Sequence, residues 1–269
     1  MTLTDTPART PARTAERPFA LLRHSLALAR RSVVKTLRTP EQLLDVTLQP
    51  VIFVVVYVYL LGGAVAGSTH DYLQFLLPAI LVQTVMFAGM ATGVNLNTDI
   101  DKGVFDRFRS LPIGRSAPLI GSVLGDLIRY VLAIAVLLGF GYLLGFRIQT
   151  DPLSALAACL LTIVFAFCAS WGFVLIGMLM RSPGAVQGAS FLVLFPLTFG
   201  TSMITPLETL PGWLQAWVRI NPVAGMMDAA RGLMLGGPVA GPVLKTLLWS
   251  AGILAVLAPL AVRAYRRRA

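Results

Sequence analysis

The chain has 269 residues, is 56% hydrophobic and 13% charged, and carries a formal net charge of +10, with a mean hydropathy of +0.77. A soluble domain of this length covers one core with far more charge, so the composition excludes a soluble enzyme and specifies an integral membrane protein, in which apolar runs of roughly 20 residues cross about 30 Å of hydrocarbon. The surplus of Lys and Arg reads as loop charge; nucleic-acid binding needs a basic face on a soluble surface, and none is available.

Residues 1–18, rich in Thr, Ala, Pro and Arg, read as a disordered cytoplasmic tail; no hydrophobic segment follows the arginines closely enough for a secretory signal. Over 19–38, Phe19, Leu22, Leu26, Val33 and Leu37 share one helical face, and Arg23, His24, Arg31, Lys35 and Arg38 fill the neighbouring arc. That pattern predicts an amphipathic elbow helix lying among anionic headgroups. In "TPEQ" that follows, Thr39 can cap, Pro40 suits the first helical position and Gln42 can bond back, so a spanning helix starts there.

Six spans are predicted, at about 43–62, 73–97, 119–146, 153–180, 186–204 and 242–262. Between the second and third lies "NTDIDKGVFDRFRSLPIGRSAP", residues 97–118, with seven charged side chains. Read as a helix over 100–111, it places Ile100, Val104, Phe108 and Leu111 on one side with Phe105 at the edge, and Leu111–Pro112 ends it. Two phenylalanines set among acids and bases suit insertion into a groove of a soluble partner, the rings as anchors and the charges setting register. The third stretch is too long for a simple span and begins with Asp126 and Arg129, three residues apart and able to pair on one face. A structural ion pair is the simpler reading and a gating pair the sharper one. Cys159 and Cys168 share one predicted helix, too far apart to bridge, and read as small core residues.

Residues 205–240, after the fifth span, contain two helices too short to cross, split by "INP" at 220–222. Leu207, Leu210, Trp213, Leu214, Trp217 and Val218 recur at helical spacing in the first. An outward-facing, partly re-entrant helix pair fits, since broken backbone at membrane depth needs protein or water around it; an interfacial Trp belt with a loop fits equally. Seventeen Lys and Arg fall on one side of the six-span topology and four (Arg147, Arg219, Arg231 and Lys245) on the other, with Arg129 set aside. Both termini and residues 97–118 are therefore expected in the cytoplasm.

No GxxxxGK[ST], HExxH or Gly-x-Ser-x-Gly occurs, and Asp126 is the one acid well inside an apolar run. The chain thus lacks a phosphate-binding loop, a zinc-hydrolase helix, a serine-hydrolase elbow and an obvious proton relay, and energy for uphill movement would come from another subunit.

"DIDKGVFDRFRSLPIGRSAP" resembles the cytoplasmic signature of type-2 ATP-binding-cassette (ABC) permeases, in the daunorubicin/doxorubicin-resistance branch of bacterial exporters, and "FPLTFGTSMITPLETLPGWLQAWVRINPVAGMMDAARGLMLGG" resembles that branch's second signature. The likeness spans about residues 19–262, leaving 263–269 as a basic cytoplasmic C-terminus. Where the broader superfamily often has Glu-Arg before Lys-Gly, this chain has Asp99-Ile100-Asp101.

The resemblance implies an all-α permease of six transmembrane helices that forms a homodimer or pairs with a similar permease. It would dock two copies of an ATP-binding subunit, which hold the ATP and Mg, while the chain itself carries no cofactor, metal or catalytic residue. A coupling helix would cover Asp99, Asp101, Lys102, Gly103, Phe105, Asp106, Arg107, Phe108 and Arg109, with Phe105 and Phe108 as anchors. A re-entrant hairpin would be shaped by Leu210, Pro211, Trp213, Asn221 and Pro222, with Asp228 and Arg231. The function implied is export of a hydrophobic or amphipathic compound (a drug, antibiotic, polyketide or lipid) from a bacterial cell. Export of a polysaccharide or lipid-linked glycan is the nearest alternative, disfavoured because the aromatics cluster toward the predicted interfaces; a self-powered transporter or a scaffold is more distant.

Overall fold

The computed structural model describes residues 40–104 and 117–268. The tail, the elbow helix and residues 105–116 lie outside the described residues. The described chain is helical: α1 (Pro40–Ala66), α2 (Thr69–Asp101), α3 (Ala117–Gly125), α4 (Leu127–Leu143), α5 (Pro152–Leu179), α6 (Pro183–Phe199), a 3-10 turn (Leu207–Thr209), α7 (Gly212–Ile220), α8 (Pro222–Leu235) and α9 (Ala240–Arg268).

Helix starts follow a repeated local rule, a capping side chain followed by proline. Asp151, Ser182 and Asn221 each accept a backbone N–H of the next turn, with Pro152, Pro183 and Pro222 at the first helical position, where the missing proline N–H costs nothing. Ser154 donates its hydroxyl to Asp151 at 2.7 Å and its backbone N–H at 2.9 Å, which holds this exposed carboxyl below its ordinary range. Only Gly67 and Ser68 separate α1 from α2, and Gly67 turns the chain at φ +72°, a conformation open to glycine without strain.

The helices alternate in direction. One end of the bundle gathers the α1–α2 and α4–α5 turns, residues 200–206, α7 and α8; the other gathers the ends of α2, α5 and α9 and the starts of α3 and α6. We call these the hairpin end and the arginine end. α2 is the axis: Tyr72, Leu76, Leu77, Ile80 and Leu81 are fully buried, and it packs against α1, α4, α5, α6 and α8. At 33 residues it reaches about 50 Å, longer than a bilayer's hydrocarbon is thick. A second core cluster at the arginine end joins Leu96, Val123, Trp171, Val174, Met178, Ala261 and Tyr265.

Lipid tails are as apolar as Leu, so spans associate through close packing and interhelical hydrogen bonds. At the α2–α5 crossing, a Cβ on Gly177 would stand 2.6 Å from the Gly93 carbonyl oxygen, and one on Gly93 would collide with the Phe173 carbonyl. Beside them Asn97 donates to the carbonyls of Gly177 (2.8 Å) and Met180 (3.0 Å), tying α2 to the end of α5.

Five described stretches are long and apolar enough to cross a membrane: Thr47–Ala66, Thr69–Asp101, Ile120–Leu143, Pro152–Leu179 and Ala240–Tyr265. The expected fifth span, 186–204, corresponds to α6 (Pro183–Phe199), a shorter apolar helix of 17 residues that starts earlier and stops at Phe199. There Thr201 turns its hydroxyl back onto the Thr198 carbonyl (2.7 Å) and accepts the Met203 N–H (3.2 Å), bending the chain away. The third span is broken at Asp126. Met203, Met226, Met227 and Met234 are fully buried core residues, and Cys159 and Cys168 are free thiols.

Candidate transport cavity and coupling segment

At the arginine end the coupling segment is described only at its start. Asp99, Ile100 and Asp101 belong to the last turn of α2, and the break falls at Lys102–Gly103, where Gly103 takes φ +67°. A separate helix beginning at residue 99 or 100 is therefore not formed: Lys102 and Gly103 donate backbone N–H groups to Thr98 and Ile100 (3.0 and 2.9 Å) and close the span. Asp101 and Lys102 are exposed. Phe105, Asp106, Arg107, Phe108 and Arg109 lie outside the described residues.

Asp126 and Arg129 are brought together. The Arg129 Nη1 donates to Asp126 Oδ1 at 3.3 Å, with both residues buried. Arg129 also lines a cavity of about 440 Å³ enclosed by α1, α2, α4 and α6. Gln49, Gln83, Thr84, Asn95 and Gln187 supply polar atoms to its wall, and Phe53, Phe87 and Phe191 supply aromatic faces. Gln83 is 1% exposed, yet among the described residues neither its Oε1 nor its Nε2 has a hydrogen-bond partner, and Arg129 Nε has none either. A buried amide without partners costs about 1–3 kcal/mol; both atoms are covered in this conformation, so a ligand would bond them once the Gln83 side chain turns into the cavity.

From the cavity an aromatic row runs along α6. Phe87 and Phe191 have ring centroids 6.4 Å apart, Phe191 and Phe195 5.6 Å, and Phe195 and Phe199 4.7 Å. It ends where the Trp217 indole lies against Gly200, leaving no room for a Cβ. Beside the aromatics expected near the interfaces, this row follows α6, because a four-residue spacing stacks side chains on one face; stacked aromatics beside polar groups are also the feature expected of a glycan channel.

At the hairpin end the predicted residues divide. The single helical run expected from Leu207 is two pieces, separated at Leu210 and Pro211, since proline opens α7 and the Leu210 carbonyl instead accepts from Gln215 Nε2 (2.9 Å). Leu210 is half-buried, Pro211 exposed and Trp213 74% exposed. Asn221, by contrast, is buried: its Nδ2 donates to the Leu197 and Gly200 carbonyls (2.9 and 3.0 Å) and its Oδ1 accepts the Val223 N–H, with half-buried Pro222 between. Arg231 is a second clamp. It donates to the carbonyls of Phe75 (3.1 Å), Ser202 (2.7 Å) and Met203 (3.4 Å) and to the Ser202 hydroxyl (3.2 Å), pairs with Asp228 at 3.5 Å, and lies 4.0 Å over the Phe75 ring. Planar guanidinium geometry suits such multiple acceptors. Thr150 and Gln149 tie the end of α8 to the α4–α5 turn through the Leu233 and Met234 carbonyls.

The cavity amides are what motif reading passed over. A glutamine in the middle of the apolar run "PAILVQTVMFAG" is the available signal, since polar groups at membrane depth are expensive and usually functional.

The ABC-2 type transporter family model matches residues 23–235. The chain belongs to that family. It is 44% identical over 262 residues to the daunorubicin resistance ABC transporter permease protein DrrB1 of Streptomyces coeruleorubidus, covering 97% of this chain and 93% of that protein. It is 29% identical over 203 residues to the doxorubicin resistance ABC transporter permease protein DrrB of Mycobacterium tuberculosis H37Rv, covering 73% and 70% of the two chains. The protein is thus a multi-pass membrane permease subunit of an ABC transporter, works with an ATP-binding subunit and has no ATPase site of its own.

Proposed function

We propose that this permease exports a hydrophobic or amphipathic aromatic compound from a bacterial cell, with drug resistance as the outcome. The observation that carries the reading is the cavity, in which three phenylalanines offer stacking faces and Gln83 offers an unpartnered donor and acceptor. Ligand sites are mostly apolar with a few convergent polar groups, and a flat aromatic molecule bearing oxygens matches both. The Phe191–Phe195–Phe199 row then gives a path toward the hairpin end. Relatives named for daunorubicin and doxorubicin resistance support the same cargo class.

Both termini and residues 97–118 face the cytoplasm, as the arginine distribution indicates, in the cell membrane. A re-entrant hairpin α7–α8 is supported by α8 being too short to cross and yet packing against α2, α5, α6 and α9. Residues 99–109 couple the permease to two copies of the ATP-binding subunit, which carry the ATP and Mg. Two permeases, identical or closely similar, meet through outward faces. Only 22% of the α1 span and 11% of the α9 span is buried within one chain, leaving apolar surface for lipid and for a second subunit. Asp126, at the break in the third span, pairs with Arg129, which lines the cavity, so the pair would respond to a change in the cavity.

The test is ATP-dependent uptake of daunorubicin into inverted vesicles holding the chain and its ATP-binding partner. Saturable uptake that stops without ATP is expected. ATP hydrolysis without uptake would overturn the drug reading, and movement of a lipid-linked glycan would put the alternative in its place.

A further inference from the structure

A second cavity, of about 730 Å³, opens at the arginine end between α5 and α9. Its rim is built by Arg181, just beyond the end of α5, and by Arg263 and Arg267, one turn apart on α9. All three are exposed, and no ion pair to any of them occurs among the described residues. Its wall is apolar: Leu175, Met178 and Leu179 lie at helical spacing on α5, facing Leu260 and Ala264 of α9, and Leu179 and Leu260 are 62% and 41% exposed. Three arginines therefore line one groove whose apolar wall runs back along two membrane-spanning helices.

We propose that this groove is a binding site for one anionic phospholipid, its phosphate held by Arg181, Arg263 and Arg267 and its acyl chains lying along Leu175, Leu179 and Leu260. Arginine is suited to bidentate bonding of phosphate oxygens, and basic pockets between spanning helices hold anionic headgroups. Charge alone fits a free anion equally; the exposed leucines beside it do not, because a small anion leaves them uncovered while an acyl chain covers them. The bound lipid bridges the ends of α5 and α9, beside the Leu96–Tyr265 core cluster that also holds the end of α2, from which the coupling segment departs. The proposed topology assigns the leaflet, but the site itself does not depend on it.

The test is native mass spectrometry of the permease together with its ATP-binding subunit, purified in mild detergent and titrated with phosphatidylglycerol, cardiolipin, phosphatidylcholine or inorganic phosphate. One tightly held anionic phospholipid per permease is expected, with phosphatidylcholine lost. The pair Arg263→Gln and Arg267→Gln lowers retention by about tenfold or more, the scale of losing charge-assisted hydrogen bonds. Leu179→Trp, which fills the groove and leaves the charge unchanged, lowers it comparably in a complex that still assembles. Equal retention of phosphatidylcholine, or wild-type retention in the arginine pair or in Leu179→Trp, would overturn the proposal. So would displacement of the lipid by excess inorganic phosphate, which marks a site for soluble anions.

Discussion

The hairpin end and the cavity face use polar side chains in opposite ways. Around α7 and α8, buried polar groups are turned onto backbone: Asn221 fills the carbonyls that end α6, and Arg231 binds three carbonyls and a hydroxyl between α2 and residues 202–203. Around the cavity, Gln83 and Arg129 keep atoms without partners among the described residues while Phe53, Phe87 and Phe191 stand beside them. One set holds irregular backbone together, where an unmet buried carbonyl is costly. The other is left incomplete by the protein, as a binding site is before its ligand arrives. Deleting a hairpin group should therefore cost folding, and deleting a cavity or partner-facing group should cost transport.

The largest effect is expected at the proposed coupling segment. Phe105→Ala with Phe108→Ala is expected to abolish ATP-dependent efflux and release the ATP-binding subunit while the permease stays in the membrane, checked by vesicle uptake and by co-purification. Unchanged efflux from well-folded protein would remove the coupling role. Next comes Arg231→Ala, expected to lower stability by about 3 kcal/mol in detergent unfolding, because it strands the carbonyls of Phe75, Ser202 and Met203 and the Ser202 hydroxyl at once. Arg231→Lys should recover less than half of that loss, since an ammonium cannot reach the same fork of acceptors. Gly93→Ala is expected to cost about 1–3 kcal/mol by forcing α2 away from α5, with a matching fall in the unfolding midpoint. If Arg231→Ala left folding intact and only slowed transport, the contrast between the two regions would fail.

Much of the local architecture is legible in the amino-acid sequence. The cap-plus-proline starts, the Asp126–Arg129 pair, the short helices around residues 205–240 and the apolar runs all rest on local rules, in which a side chain acts on neighbours a few residues away. Long-range placement is not legible. That Arg231 reaches Phe75, 156 residues earlier, depends on α8 being buried against α2, and helical spacing along α8 carries no record of it. The Phe191–Phe199 row is hidden for the same reason: three phenylalanines four residues apart state a face, but only the packed bundle shows it continuing Phe87 and the cavity. The early stop of α6 escapes a hydropathy reading because "GTSMIT" is apolar enough to prolong a span, while its hydroxyls turn onto nearby backbone instead.

The most direct measurement is a titration of daunorubicin against Gln83→Leu and the unaltered permease, each in complex with its ATP-binding subunit, with unfolding followed in parallel. Leucine removes the unpartnered amide, so the folded state should be unchanged or steadier by about 1 kcal/mol, while drug affinity falls by about tenfold, near 1.4 kcal/mol. Unaltered affinity with lowered stability would show Gln83 to be one more structural polar group, and the cavity would lose its claim to the cargo.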